Sequence, residues 1–213
     1  MLENHTWRAV WWLNALLLCL LSLVIFLFAR SGVDRRDRTD QLRPLAELRR
    51  AMAARGPLLL AIIFGMYTMQ HLSVMGFMPT LLHERFHLPQ SRIGLLISIA
   101  MASNILGNLA AGVLLQRGFS RARIVAFASI FMACATVGIF VLNLPLAGFY
   151  LCALAFSCVG GLVPSAVMGA APFRTPSPSL LGATNGLLVQ GSNLGIVLGP
   201  PLMSFIATRL AWH

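Results

Sequence analysis

The sequence has no lysine and only six acidic residues, and charged residues make up just 10% of its 213 positions. A soluble domain carries about 25%, so an ordinary water-facing surface is excluded. None of the six carboxylates falls deep inside a long apolar stretch, so no such stretch carries an acidic group of its own. The four cysteines (Cys19, Cys134, Cys152, Cys158) all lie in apolar runs without metal-type spacing. There they act as small hydrophobes and indicate neither a disulfide scaffold, a redox pair nor a metal site. The net charge of +10 comes from 16 basic residues, every one of them arginine. They are scattered between apolar stretches instead of forming one patch, a pattern that orients membrane proteins and argues against nucleic acid as a partner.

What the sequence has in abundance is hydrophobic length, with 58% of residues apolar. A helix needs about 20 apolar residues to cross a bilayer core of roughly 30 Å. Six stretches qualify, at 9–29, 57–82, 93–116, 124–142, 147–170 and 181–207. Lipid offers backbone groups no hydrogen-bond partner, so each is expected to be helical. The fold class expected is therefore an all-α membrane protein with six transmembrane helices. The first stretch is too long for a signal-peptide core, and its arginines follow it instead of preceding it, so it reads as a span. With the N-terminus outside, the inner segments hold twelve arginines, among them Arg117, Arg121, Arg123 and Arg174, and the outer ones only Arg8, Arg85, Arg92 and Arg209. That bias predicts both termini on the extracytoplasmic side. The segment 30–56 carries eight Arg against Asp34, Asp37, Asp40 and Glu47. After Pro44 it places Leu45, Leu48 and Met52 at helical spacing, which predicts either an amphipathic helix at the cytoplasmic surface or a solvated linker.

In their order, these features resemble the major facilitator superfamily. Trp7-Arg8 followed by Trp11-Trp12-Leu13-Asn14 is similar to the start of that family's sixth helix, and the Arg-rich segment to its central cytoplasmic connection. Between the third and fourth stretches, Gly112-Val-Leu-Leu-Gln116-Arg117-Gly118-Phe-Ser-Arg121 resembles the degenerate second copy of the family's G-x-L-x-D-R-x-G-R loop. Gln116 stands where the better copy has Asp and the second glycine is shifted, so a gating salt bridge is not carried over; Gly112, Arg117 and Arg121 remain the gating-loop residues the resemblance implies. Gly191 to Pro201 is similar to the family's glycine-proline helix. The resemblance implies helices six to eleven of twelve: 1–29 as the last helix of one half, 30–56 as the linker, and 57–213 as five helices of the second half. It implies a fragment of a secondary transporter of a small solute in a bacterial inner membrane, partnered by missing helices, with no enzymatic activity and no cofactor. The carboxylate that most often carries protons in such transporters would then lie on the missing helices. From Leu162-Val-Pro164 to the Gly-Pro-Pro turn the chain looks most like the cyanate-transporter-type branch, with a drug or metabolite exporter as the alternative.

Polar groups inside spans usually face a cavity or another helix. Tyr67, Gln70 and His71 share a helix face by their three- and four-residue spacing, and His71 is ionisable and near mid-membrane. They are candidates for solute contact, with His71 also a candidate proton-sensitive group titrating near neutrality; the alternative is a neutral histidine bonded to a neighbouring helix. Asn104 with Asn108, and Gln190 with Asn193, are candidates for the same role or for interhelical bridges. Gly191, Gly195 and Gly199 recur every fourth residue, which gives a smooth face for close approach, and Gly182 and Gly186 extend the pattern. Pro200 with Pro201 is expected to bend or end the last helix. Gly160, Gly161 and Pro164 interrupt the fifth stretch near its middle, where transporters place hinges and binding sites; tight packing alone is the alternative.

His83-Glu84-Arg85-Phe86-His87 matches H-E-x-x-H, which on a helix presents two imidazoles to a zinc ion with Glu as general base. A zinc protease therefore enters as an alternative function, and a non-transporting remnant or assembly partner as a third. Against the protease, Pro89 is expected to end the helix just past His87, and a third protein ligand is not offered by the nearby sequence; His5 and His213 are the distant candidates. No metal site is expected.

Overall fold

A computed structural model describes residues 7–28 and 44–209, in two compact units that divide at Arg43. The described residues are helical or in short turns, with no strand among them. Most of the Arg-rich linker, including Asp34, Asp37 and Asp40, lies outside the described residues, as do His5 and His213.

The first unit contributes one helix, α1 (Trp7–Phe28), apolar along its length apart from Arg8 and Asn14, with its described side chains exposed. The second unit begins with α2 (Pro44–Ala53), on which Ala51 is fully buried while Leu48 and Met52 are exposed. Then come α3 (Arg55–Phe86), α4 (Gln90–Gln116), α5 (Arg121–Phe140), α6 (Leu146–Gly160), α7 (Leu162–Met168), the single turn α8 (Ala171–Arg174), a 3-10 turn (Pro178–Leu180) and α9 (Leu181–Arg209).

Among the described residues, five spans are long and apolar enough to cross a membrane: α1, α3, α4, α5, and α6 with α7 taken together. All six expected stretches form helices. The sixth stretch does form a 29-residue helix, α9, but Thr184, Asn185, Gln190, Ser192 and Asn193 together with two prolines dilute its apolar content. Nor does α9 stop at its prolines; it runs through Pro200 and Pro201 to Arg209.

Local chemistry sets the helix ends. Pro89 and Pro145 occupy the N-cap positions of α4 and α6. Ser120 caps α5, its hydroxyl accepting from the Arg123 amide at 3.4 Å. The α4–α5 turn closes with Phe119 N–H donating to Leu114 O and Gly118 N–H to Leu115 O, both at 3.1 Å. This is a Schellman closure, with Gly118 at φ 83° in the left-handed region that only glycine enters freely. The α6–α7 break follows from Pro164: it cannot donate to the carbonyl four residues back, and its ring crowds that carbonyl, which belongs to Gly160.

Two seams hold the bundle. On the first, α9 lies beside α3 and parallel to it. A Cβ on Gly191 would strike Ala61 O, one on Gly195 would strike Gly65 O, and one on Gly199 would come within 2.7 Å of Met69 O. Contact thus advances four residues at a time along both helices in the same direction. On the second, α4 runs parallel to α6 and α7: a Cβ on Gly107 would strike Cys158 O, and one on Gly161 would strike Asn104 O. α5 packs antiparallel on α6, with Gly138 against Cys152 and Gly160 against Met132. Where lipid tails are as apolar as leucine, such close backbone approach is what drives helix association.

The interior divides in two along the bundle. One apolar cluster gathers Leu60, Ala61, Ala111, Ile124, Leu162 and Val167 near the end where α3 begins. The other gathers Met78, Leu82, Ile93, Met132, Phe149 and Phe156 toward the opposite end. Tyr67 touches both, which places it at the level where they meet.

Candidate functional site

Between the two apolar clusters lies a layer of hydrogen-bonding side chains from four helices. α3 supplies Tyr67 and His71, one turn apart; α4 supplies Asn104 and Asn108, also one turn apart. α6 contributes Ser157 and α7 Ser165. The His71 ring lies against Tyr67 (centroids 5.5 Å apart) and stacks on Phe156 at 5.8 Å. Its Nε2 is 3.4 Å from Ser157 Oγ. Asn104 Nδ2 donates to Tyr67 Oη at 3.1 Å and to Ser157 O at 3.0 Å. Asn108 Nδ2 donates to Asn104 Oδ1 at 2.9 Å, and Ser165 Oγ donates to Asn108 Oδ1 at 2.8 Å. The chain of contacts from His71 to Ser165 is continuous, and no buried side-chain nitrogen or oxygen among the described residues lacks a partner.

Of the residues singled out in the sequence, Tyr67, His71, Asn104 and Asn108 come together here. Gln70 sits beside them on the wall of a cavity of about 470 Å³ that Tyr67, Met66, Ser129 and Met132 also line. Gln190 and Asn193 do not join the layer; they lie on an exposed face of α9. Instead, α9 reaches α3 through its backbone, Ser192 O accepting from Thr68 Oγ1 at 2.9 Å. Ser157 and Ser165 are the members sequence reading missed. A lone serine in an apolar run has no periodic signal, though both fall within five residues of Gly160-Gly161, which flags the segment.

The α6–α7 break is built into this layer. Ser157 precedes it and bonds to α3 and α4, while Ser165 follows it and bonds to α4 alone. Gly161 itself is pinned by Asn104 O and Asn108 N. Two neighbouring amides of α4 thus hold the two sides of one break, so any rotation at Gly161 must exchange these hydrogen bonds.

At the end where α3 begins, Arg121 Nε donates to Gly169 O at 3.1 Å, and its guanidinium stacks over the Phe173 ring at 4.2 Å. Arg117 forms the C-cap of α4, and Gly112 faces open space. At the opposite end Arg85 Nη2 donates to Leu142 O and Asn143 Oδ1, both at 3.1 Å, tying α3 to the α5–α6 turn. The H-E-x-x-H motif does not form its helical pair: α3 ends at Phe86, and His87 turns left-handed at φ 52° with its Nδ1 3.3 Å from His83 O. No group of three or more His, Cys, Asp or Glu gathers to hold a metal among the described residues.

A family model of the Major Facilitator Superfamily matches residues 1–177. The chain belongs to that superfamily. It is a multi-pass membrane protein of a family of secondary transporters of small solutes, whose members are generally not enzymes. No curated protein and no solved structure gives a significant match. The superfamily builds its halves from three-helix repeats.

Proposed function

We propose that this chain forms part of a transporter that moves a small solute by alternating access, with the layer between the two apolar clusters as its solute-contacting surface. The observation that supports this most directly is the pairing of that layer with the α6–α7 break. Hydrogen-bonding groups cost free energy inside a membrane bundle unless they are used, and here they converge from α3 and α4 on the interrupted α6–α7 span. Tyr67, Gln70, His71, Asn104 and Asn108 are the proposed solute contacts. Gln70 makes no hydrogen bond with a described residue and faces a cavity, so its amide is open to a ligand. Gly160, Gly161 and Pro164 form the proposed hinge. Gly191, Gly195, Gly199 and Pro200 let α9 move against α3.

In this reading α9 also spans the membrane, and α1 corresponds to the family's sixth helix and α3–α9 to its seventh to eleventh. Arg117 and Arg121 lie on the cytoplasmic side, and both termini are extracytoplasmic in the inner membrane of a bacterium. Helices beyond these residues close the cavity. Gln190 and Asn193, on the open face of α9, are available to meet those helices or the solute.

The reading is tested with the detergent-purified chain and a panel of small anions, amines, sugars and amino acids, followed by melting temperature. At least one class is expected to raise the melting temperature of the wild type, and to do so at least tenfold less effectively with Gln70→Ala or Asn104→Ala. A solute that stabilises all three proteins equally counts against these residues as contacts. Liposomes containing the isolated chain are expected to show no saturable uptake; saturable uptake would overturn the need for further helices.

A further inference from the structure

A second cavity, of about 710 Å³, opens between the beginnings of α3 and α5 and the end of α7. Its walls are aliphatic: Leu59, Leu60, Ile63, Val125, Ala126 and Val167. Its polar groups lie toward one end and comprise Ser120, Arg121 and Arg174. From Gly56 to Ile63 this lining covers about two turns of α3, roughly 10 Å of depth at 1.5 Å per residue.

The charge at its mouth is one-sided. The described residues contain just two carboxylates, Glu47 on α2 and Glu84 near the end of α3, and neither lines this cavity. Arg121 spends one donor on Gly169 O and lays its plane on Phe173, which leaves its terminal nitrogens without a described partner. Arg174 is exposed, and its guanidinium makes no hydrogen bond or ion pair with a described residue. The same mouth receives the N-terminus of the 20-residue helix α5, the partially positive end of its dipole. Phe173 is exposed, lies under the Arg121 guanidinium and precedes Arg174 in the chain.

We propose that this cavity is a binding site for one anionic phospholipid, its phosphate held between Arg121 and Arg174 and the start of an acyl chain lying along the aliphatic wall. A small hydrophilic anion would satisfy the arginines but leave the apolar depth unfilled. A zwitterionic lipid would fill the depth and offer a phosphate, but would bring its own cation against the two guanidinium groups. An anionic amphiphile matches both ends. Its deep end shares Ile63 and Val125 with the cavity beside Gln70, while its charged mouth is formed by residues outside the hydrogen-bonded layer around His71. In the orientation proposed above, it draws from the cytoplasmic leaflet, where anionic lipid and basic side chains meet.

The purified 213-residue chain, in a neutral detergent, is mixed with phosphatidylglycerol or with phosphatidylcholine of the same acyl chains, and bound lipid is counted by native mass spectrometry. One phosphatidylglycerol is expected to be retained in preference to phosphatidylcholine. Each arginine replaced, by Arg121→Gln or Arg174→Gln, is expected to weaken that preference roughly fivefold, the effect of one basic residue at a charged lipid surface. Ala126→Trp, which fills the wall without touching the charges, is expected to reduce retention of phosphatidylglycerol. Equal retention of the two lipids, or an unchanged preference in Arg174→Gln, would overturn the proposal. So would inorganic phosphate at millimolar concentration displacing the lipid completely, which would mark a soluble-anion site. Arg174 packs on Gly56 through its backbone and Cβ, which Arg174→Gln retains, so this variant keeps the test valid even if Arg121→Gln fails to fold.

Discussion

The two parallel seams of this bundle use glycine in the same way and polar side chains in opposite ways. Along α3 and α9, contact is made by backbone against backbone, and Thr68 bridges the two helices by donating to Ser192 O. Along α4 and α6–α7, Gly107 and Gly161 bring the backbones equally close. Yet Ser103, Asn104 and Ser165 all cross that seam with hydrogen bonds. A seam needs only small residues to pack. The surplus of amides and hydroxyls distinguishes the second seam, which also contains the α6–α7 break, and it is this seam that the proposed function uses.

The comparison breaks most severely if the seams are forced apart. Gly195→Leu and Gly161→Leu are each expected to abolish the folded protein, because the obstacle at both positions is backbone and cannot step aside. Overpacking a core costs about 1–3 kcal/mol even where side chains can shift. Yield after size-exclusion chromatography in detergent checks this, and a monodisperse Gly195→Leu protein would show the α3–α9 seam to be looser than described. As controls, Gly182→Ala and Gly186→Ala meet open space. They should be neutral or gain up to about 1 kcal/mol from helix propensity.

Asn104→Ala comes next in size. It strips a donor from Tyr67 Oη and Ser157 O and an acceptor from Asn108, and unmet buried groups cost about 1–3 kcal/mol. The prediction is a clear fall in melting temperature together with loss of solute response. Thr68→Val on the other seam should cost only about 0.6 kcal/mol, the average for a hydrogen bond between membrane helices, with solute response unchanged. Comparable losses of solute response in both variants would erase the distinction between the seams. The smallest effect is expected from Glu84→Gln, since Glu84 is exposed and His87 has left the helix. Bound zinc, measured by elemental analysis, should be absent in both wild type and variant, and stoichiometric zinc in the wild type would reopen the protease alternative.

The helices were legible in the sequence because bilayer thickness fixes a length and lipid forbids any other backbone structure. One helix end was legible too: Pro89 is read as the stop just past His87, and α3 ends at Phe86. Part of the polar layer followed from spacing, since Tyr67 with His71 and Asn104 with Asn108 repeat one turn apart. The same rule grouped Gln190 with Asn193 correctly on one face of α9, but spacing is blind to what that face meets, and this one is exposed. Ser157 and Ser165 escaped notice because a hydroxyl in an apolar helix can satisfy itself on its own backbone, as Thr136 does on Met132 O at 2.8 Å. α9 was counted with the other spans because its stretch is long, although its polar residues set it apart in composition.

By itself the sequence determined that the chain is a set of membrane helices, where most of them begin and end, and which residues share a face. Those properties depend on the bilayer and on the helical repeat, both local. Only the tertiary structure decided that α9 lies on α3 and α4 on α6–α7, that two hydroxyls complete the His71 layer, and that Arg121 and Arg174 share the mouth of an apolar cavity. Each of these joins residues 50 or more positions apart, and which helix lies beside which depends on backbone shape fitting backbone shape, a match that no single segment encodes.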